Sequence, residues 1–181
     1  IFVDSGPVLE KYWAKKSGIG FCGKNSLIIN PEFGSFIFLC EMIIDKEIEP
    51  DKEIKNLCGK CKKCMEACPT GAIIKEGIID IRKCISYLTI EKKELSEEEK
   101  ILIKKGNRIF GCEICQEICP FNKNLKETEK EDLKIPEVIK NLKSENLEKM
   151  PLNELEKIFR KTSLERKIKN FFDRKKFLCK I

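Results

Sequence analysis

Histidine is absent from all 181 residues of this chain. Its absence excludes Ser-His-Asp triads, imidazole general bases and histidine metal ligands, so any proton donor must be a carboxylic acid, Tyr, Lys or Cys. The chain also lacks an apolar run of the ~20 residues that span a bilayer, and no signal peptide is recognisable. We therefore expect a cytoplasmic protein that does not contact a membrane.

Charge is plentiful but unevenly distributed. Charged residues make up 36% of the chain, hydrophobic residues 41%, and the net charge is +6. Residues 160–180 contain nine Lys or Arg against two Asp or Glu. A basic segment of this kind is either a solvated helix face or a surface for nucleic-acid phosphates, and its charge alone does not decide between them.

Cysteine, in contrast, occurs 11 times. Residues 58–69 read C-G-K-C-K-K-C-M-E-A-C-P, which is the C-x2-C-x2-C-x3-C-P run that binds iron–sulfur clusters in bacterial ferredoxins. In two-cluster ferredoxins, the last cysteine of such a run serves the other cluster. The alternatives are buried free cysteines or a structural zinc site, although zinc ribbons usually use two separated C-x2-C pairs.

A second cysteine run supplies the ligands that the first run leaves open. Residues 112–120 read C-E-I-C-Q-E-I-C-P, and Cys84 lies between the runs. The spacing predicts two 4Fe–4S clusters with crossed ligands. The first cysteine set is Cys58, Cys61, Cys64 and Cys119, and the second cysteine set is Cys68, Cys84, Cys112 and Cys115. These spacings argue against a secreted disulfide scaffold.

Three cysteines remain outside the two sets. Cys22 and Cys40 lie in apolar runs and are predicted to be small core residues. Cys179 lies near the end of the chain, and no specific role is predicted for it.

Turn and cap residues predict the secondary structure. Ser96 and Glu99 form a capping box before a helix that ends at Gly106. The other predicted elements are a helix over 7–17, strands over 26–29 and 35–44, a hairpin over 70–80, a helix over 84–91 and a helical tail from Leu152. The segment G-I-G-F-C-G-K-N at 18–25 indicates a close approach of the backbone to a ligand, although it matches neither common phosphate-binding pattern.

Six separated motifs occur in one order along the chain. They are V-D-S-G-P (3–7), G-I-G-F-C-G-K-N (18–25), G-S-F-I-F-L-C-E (34–41), the first cysteine run with T-G-A (58–72), R-K-C-I-S-Y-L-T-I-E (82–91) and N-R-I-F-G-C-E-I-C-Q-E-I-C-P-F-N (107–122). A weaker match is F-R-K-T-S-L-E-R at 159–166. With these motifs, the chain resembles the cobalamin-dependent epoxyqueuosine reductases of tRNA modification.

The resemblance implies an α+β fold in three parts. Residues 1–50 would be the C-terminal part of a nitroreductase-like α/β cobalamin domain. Residues 51–125 would form a ferredoxin-like domain with two 4Fe–4S clusters, and residues 126–181 a basic helical tail. Family members carry a further stretch before V-D-S-G-P, so we expect an N-terminally truncated chain, with activity belonging to a longer protein.

The implied reaction reduces epoxyqueuosine to queuosine at the wobble position of tRNA with a GUN anticodon. Electrons would pass from a flavodoxin or ferredoxin system through the clusters to cobalamin. By motif, Asp4 is the implied proton donor, and a carboxylic acid suits that role in a chain without histidine. The implied cobalamin-binding residues are Lys24, Asn25, Ile28, Leu39, Ser86 and Tyr87. We expect a monomer whose basic tail, including Arg174, Lys175 and Lys176, contacts tRNA phosphates.

Two other functions stay open. A reductive dehalogenase shares the plan of cobalamin with two clusters, but it usually has an export signal and its proton donor is a Tyr rather than the Asp of V-D-S-G-P. A non-catalytic protein, either a ferredoxin-type electron carrier or a cluster-assembly scaffold, predicts neither corrin binding nor a role for Asp4.

Overall fold

The computed structural model describes residues 6–178, apart from the side chains of 144, 170 and 175–178. The helices are α1 (Glu10–Lys16), α2 (Lys63–Ala67), α3 (Ile85–Ile90), α4 (Glu97–Gly106), α5 (Ile114–Glu117), α6 (Glu137–Lys140), α7 (Ser144–Lys149), α8 (Leu152–Ile158) and α9 (Ile168–Leu178). The strands are β1 (Phe21–Cys22), β2 (Ile28–Ile29), β3 (Ile73–Lys75) and β4 (Ile78–Ile79). β1 pairs with β2 and β3 with β4, both antiparallel. This mixture of helix and sheet agrees with the predicted α+β class.

The chain packs into two compact units, each built from two separated segments. The first unit comprises Ile1–Asp80 and Glu113–Leu125, and the second comprises Ile81–Cys112 and Lys126–Ile181. These two units are defined by how the chain packs. The three domains over 1–50, 51–125 and 126–181 are defined by the sequence motifs and stay a prediction. Every member of the first cysteine set belongs to the first unit.

The β1–β2 hairpin explains two glycines of segment 18–25. In its register, Phe21 pairs with Ile29 and Cys22 with Ile28. A Cβ atom on Gly20 would lie 2.6 Å from the carbonyl oxygen of Ile29, and one on Gly23 would lie 2.5 Å from Ile29 Cδ1. The close approach that we predicted toward a ligand is therefore made to the chain's own strand β2.

Residues 35–44 do not form the strand that their apolar sequence predicts. Within residues 6–178, neither sheet includes them. Phe38, Met42 and Ile43 are 88%, 84% and 91% exposed. The prediction was wrong because β-propensity acts through packing against neighbouring strands, which this segment lacks among the described residues.

The two leftover cysteines of the first unit also differ from the prediction. Cys40 is exposed rather than part of a core, and Cys22 is half-buried. Cys40 follows the irregular path of segment 35–44, so it has no packed layer in which to be buried. Cys179 lies outside the described residues.

The second unit has the larger core, formed mainly by helices. Its buried residues are Leu88, Ile103, Leu147, Leu155, Phe159, Leu164, Ile168 and Phe171. α4 begins with the predicted capping box: Glu99 N–H donates to Ser96 Oγ at 3.3 Å, and Ser96 N–H donates to Glu99 Oε2 at 2.9 Å. α4 ends at Gly106, as predicted, and Asn107 follows with φ 49°.

Within the described residues, the basic tail contains α6, α7, α8 and α9, and a short 3-10 helix at Glu165–Lys167 separates α8 from α9. Arg174 of α9 donates hydrogen bonds to the carbonyl oxygens of Leu88 at 3.2 Å, Lys93 at 2.8 Å and Lys92. Burial lowers the pKa of its guanidinium. Arg174 therefore packs the second unit, which makes it a poor choice for the phosphate contact expected of it.

Lys175 and Lys176, the other two expected phosphate contacts, are not among the residues whose side chains the structure describes. None of the helices within residues 6–178 is long and apolar enough to cross a bilayer.

Candidate functional site

A cavity of about 280 Å³ in the first unit is bordered by the four thiols of the first cysteine set. Cys58 and Cys61 lie in the loop before α2, Cys64 lies in α2, and Cys119 follows α5. The loop and α2 come from the first cysteine run and α5 from the second. The fold thus brings both runs to one place, which we call the cysteine cavity.

Local hydrogen bonds shape the loop that carries Cys58 and Cys61. Cys58 N–H donates to Asn56 Oδ1 at 2.8 Å, and Cys61 N–H donates to the Cys58 carbonyl at 3.0 Å. Gly59 supplies the positive φ of 51° that this turn requires. Asn56 also donates to the Cys22 carbonyl at 2.9 Å, so the loop is attached to the β1–β2 hairpin.

Cys119 is positioned by a side-chain network that sequence reasoning missed. Ser35 N–H donates to Asn122 Oδ1 at 2.7 Å, and Asn122 Nδ2 donates to Ser35 Oγ at 2.8 Å. Asn122 Nδ2 also donates to the Gln116 carbonyl at 2.8 Å, and Ser35 Oγ donates to Gln116 Oε1 at 2.9 Å. The only sequence signals were the place of Ser35 within the motif at 34–41 and the places of Gln116 and Asn122 within the last motif.

Apolar side chains lie behind the cysteine cavity. Phe21 and Ile29 are buried together with Cys119, and Phe121 packs against them. The rings of Phe21 and Phe121 meet edge to face, with centroids 5.3 Å apart. This packing removes water from one side of the thiols, and burial raises the pKa of Cys58 and of Cys64.

The donor set fits a 4Fe–4S cluster. Buried thiols become thiolates when they bind metal, and the metal charge offsets the cost of burying them. The cavity volume equals about nine water molecules at ~30 Å³ each, which is room for an eight-atom cluster core. Within residues 6–178, no three His, Cys, Asp or Glu side chains are grouped closely enough to hold a single metal ion. A 4Fe–4S cluster does not require such a group, because its thiolates are distributed over four irons.

Lys24 contributes a buried cation to the wall of the cysteine cavity. Its side chain is 7% exposed, and Nζ lies 2.8 Å from a carboxylate oxygen of Glu76. Nζ also donates to the Gly59 carbonyl at 2.8 Å. The hydrogen bond with Glu76 raises the pKa of Lys24, so the ammonium form is favoured. Asn25 lies beside it and donates to the Cys115 carbonyl at 3.4 Å.

The other predicted cobalamin contacts lie elsewhere. Ile28 is buried in β2. Leu39 lines a separate cavity of about 490 Å³ whose walls are mostly apolar and include Trp13 and Met42. Among the described residues, Lys24 and Asn25 therefore border one cavity and Leu39 borders another. Asp4 lies outside the described residues.

Ser86 and Tyr87 belong to α3 in the second unit. Tyr87 is partly buried against the core of that unit. A packing role accounts for its position, and its predicted cofactor contact stays a prediction.

The second cysteine set is divided between the units, with Cys68 and Cys115 in the first. Burial acts to raise the pKa of Cys68, but hydrogen bonds with Thr70 and nearby backbone N–H groups outweigh it and lower that pKa overall. The Ala72 N–H lies 3.3 Å from the Cys68 sulfur. Cys68 is therefore a thiol whose surroundings favour the ionised form.

Cys84 and Cys112 belong to the second unit. Cys84 is the residue before α3, and Cys112 follows Gly111, whose N–H donates to Thr89 Oγ1 at 3.0 Å. Thr89 lies in α3, so a hydrogen bond ties the segment that carries Cys112 to the helix that starts at Cys84.

Known proteins share both the cysteine segment and most of the chain. Residues 57–122 match the family described as a 4Fe-4S double cluster binding domain, which confirms the predicted iron–sulfur clusters. An epoxyqueuosine reductase from Cyclobacterium marinum is 43% identical over 167 residues, which are 92% of this chain and 53% of that relative. The chain belongs to the epoxyqueuosine reductase family.

Solved structures of the epoxyqueuosine reductase family have the same fold over this region. One, a crystal structure with an epoxyqueuosine-modified tRNA-Tyr stem loop, has a TM-score of 0.87 at 35% identity and covers 98% of this chain and 47% of its own. A Bacillus subtilis member, with its catalytic aspartate loop swung out of the active site, has a TM-score of 0.85 at 34% identity, covering 96% and 46%. The chain thus spans about half the length of these three relatives.

Proposed function

We propose that this chain is part of an enzyme that reduces epoxyqueuosine to queuosine in tRNA. The observation that carries the proposal is the cysteine cavity: thiols from two distant runs border one space, in a chain of the epoxyqueuosine reductase family. Removal of the epoxide oxygen as water requires electrons and protons. The enzyme must therefore hold redox cofactors and a proton donor.

The proposed ligands of the two 4Fe–4S clusters are the first and the second cysteine sets. The cysteine cavity supports the first assignment, and the crossed spacing supports the second. When bound, the clusters supply one-electron transfer and cobalamin supplies a strongly reducing cobalt centre. Phe21, Ile29 and Phe121 exclude water from one side of the first set, and Lys24 places a positive charge beside it.

Cobalamin is the second proposed cofactor, held by a nitroreductase-like domain to which residues 1–50 contribute. Family membership supports it, and so does the apolar cavity lined by Leu39, because a large organic ligand needs apolar walls. Lys24 and Asn25 border the cysteine cavity instead. Of these three predicted contacts, Leu39 is the one with surroundings that suit a corrin.

Asp4 is the proposed donor of the proton that the epoxide oxygen takes up. No histidine is available, and a carboxylic acid in a desolvated site keeps its proton at neutral pH. The aspartate loop of the related Bacillus subtilis enzyme, described as catalytic, supports a carboxylic acid in this role.

The proposed substrate is tRNA with a GUN anticodon, held in part by the basic tail. The side chains of Arg160, Lys161 and Lys169 are exposed. Lys167, in contrast, pairs with Glu91 at 2.9 Å. The three exposed cations are therefore better placed than Lys167 to meet phosphates. We further propose a monomeric cytoplasmic enzyme that takes electrons from a flavodoxin or ferredoxin system.

The deciding experiment uses the natural protein that carries this chain, purified without oxygen. We expect about eight irons, a bound cobamide and conversion of epoxyqueuosine to queuosine in tRNA. Asp4→Asn should abolish conversion and retain iron and cobamide, whereas Asp45→Asn, at an exposed site, should convert normally. Unchanged turnover in Asp4→Asn would remove Asp4 from the mechanism. Iron without any cobamide would favour the electron carrier.

A further inference from the structure

Lys24 occupies an unusual place for a lysine, since it is buried on the wall of the cysteine cavity. Its Nζ donates to the carbonyl of Gly59, which lies in the loop between Cys58 and Cys61. One of its two polar partners is thus part of the loop that carries two thiols of the first cysteine set. The other is the carboxylate of Glu76.

We propose that Lys24 positions the Cys58–Cys61 loop and raises the reduction potential of the cluster held by the first cysteine set. The inference depends on the proposed function only in requiring that this cluster forms. Lys24 is a positioning residue in this proposal, because its ammonium group contacts the loop carbonyl and a carboxylate.

The sign of the Lys24 charge determines the direction in which it shifts the cluster potential. A cluster that accepts one electron becomes more negative, so a nearby fixed positive charge stabilises the reduced form. The effect is larger for a buried ammonium than for an exposed one, because water and salt screen an exposed charge. Charge and hydrogen bonds to the sulfurs are among the factors that set cluster potentials.

Glu76 holds Lys24 in place and offsets part of its charge. Its carboxylate is 55% exposed, and the N–H of the next residue, Gly77, donates to the Lys24 carbonyl at 2.9 Å. The turn between β3 and β4 therefore contacts Lys24 through both side chain and backbone. Removal of the Glu76 charge should act opposite to removal of the Lys24 charge.

The test uses the whole chain with both clusters reconstituted anaerobically, titrated with dithionite and followed by EPR. Lys24→Met should make the reduction of one cluster roughly tenfold less favourable, which lowers the reduction potential of that cluster by 59 mV for one electron. The potential of the other cluster should stay unchanged. Lys24→Arg should restore most of that shift, and Glu76→Gln should raise the same potential. The matched control is Lys60→Met, because Lys60 is an exposed lysine of the same loop. This control should shift the reduction potential of the same cluster less than Lys24→Met does.

Two results would overturn the proposal. The first is a Lys24→Met protein with full iron and unchanged potentials. The second is a shift of the same sign in Lys24→Met and Glu76→Gln, which would indicate a purely structural role. If Lys24→Met binds no iron, the direction of the Glu76→Gln shift still decides. Failure of the unaltered chain to bind any cluster would instead refute the proposed function.

Discussion

The side-chain amide of Asn122 forms a reciprocal pair of hydrogen bonds with Ser35. Its Oδ1 accepts from the Ser35 N–H at 2.7 Å, and its Nδ2 donates to Ser35 Oγ at 2.8 Å. Ser35 directly follows the turn at 30–34, and Asn122 lies three residues after Cys119. These side-chain hydrogen bonds thereby attach the second cysteine run to the segment that follows the β1–β2 hairpin.

Asn122→Ala should therefore destabilise the first unit and weaken iron binding. The substitution removes three hydrogen bonds and leaves the buried Ser35 N–H without its acceptor. A buried polar group left unpaired costs about 1–3 kcal/mol, so we expect a loss of roughly 2–4 kcal/mol in the free energy of unfolding. Guanidinium denaturation and iron content measure the two effects.

Asn141→Ala, at an exposed site, is the control, and equal losses in both variants would contradict the role of Asn122.

Arg174→Met should destabilise the second unit. Arg174 donates to the carbonyls of Leu88, Lys92 and Lys93 at the end of α3 and just beyond it. Because hydrogen bonds from charged groups contribute about 1.5–3 kcal/mol, the expected loss is roughly 2–3 kcal/mol by guanidinium denaturation. Lys169→Met removes a charge from an exposed site of the same helix and should change stability little. A similar loss in both variants would show that net charge, not the carbonyl contacts, was responsible.

Glu99 should make the stability of the second unit depend on pH. The Lys92 ammonium and the Ser96 N–H lower the pKa of Glu99 in the folded chain. Because the folded pKa is below the unfolded value of ~4.3, this stabilisation is present above that pH and is lost as the pH falls through the folded pKa. Glu99→Gln should be less stable than the unaltered chain by about 1 kcal/mol at pH 7.

The stability difference between Glu99→Gln and the unaltered chain should shrink in acid, which denaturation at several pH values would show. Glu98→Gln, in the same helical turn but exposed, should show a smaller dependence. A difference for Glu99→Gln that stays constant from pH 7 to pH 3 would rule out the ion pair as its source.

Reversal of charge at Arg160 and Lys161 together should weaken tRNA binding. Both side chains are exposed, and each phosphate contact contributes about 0.7–0.9 to the slope of log affinity against log salt. We expect at least a tenfold weaker affinity at low salt and a slope reduced by about 1–2, measured by filter binding with the natural protein. Lys46→Glu with Lys126→Glu makes the same change in net charge at other exposed sites. Equal weakening there would indicate a general charge effect.

Local signals in the sequence were sufficient for several elements. The capping box of Ser96 and Glu99 placed α4 correctly, and the hairpin over 70–80 is present as β3 and β4. The cysteine spacing identified an iron–sulfur segment that the double-cluster family confirms. Each of these signals lies within a short stretch of neighbouring residues. A local stretch therefore contains both partners of the capping box, both strands of the hairpin and the cysteine spacing of each run.

Long-range contacts decided the rest. The strand over 35–44 was predicted from its own residues, but within residues 6–178 no neighbouring strand pairs with it. Lys24 meets Gly59 35 positions away, and Ser35 meets Asn122 87 positions away. Composition and periodicity report the conformation that a segment prefers. Only the tertiary structure shows which distant polar groups are buried together, because the cost of burying each depends on the partner that it finds.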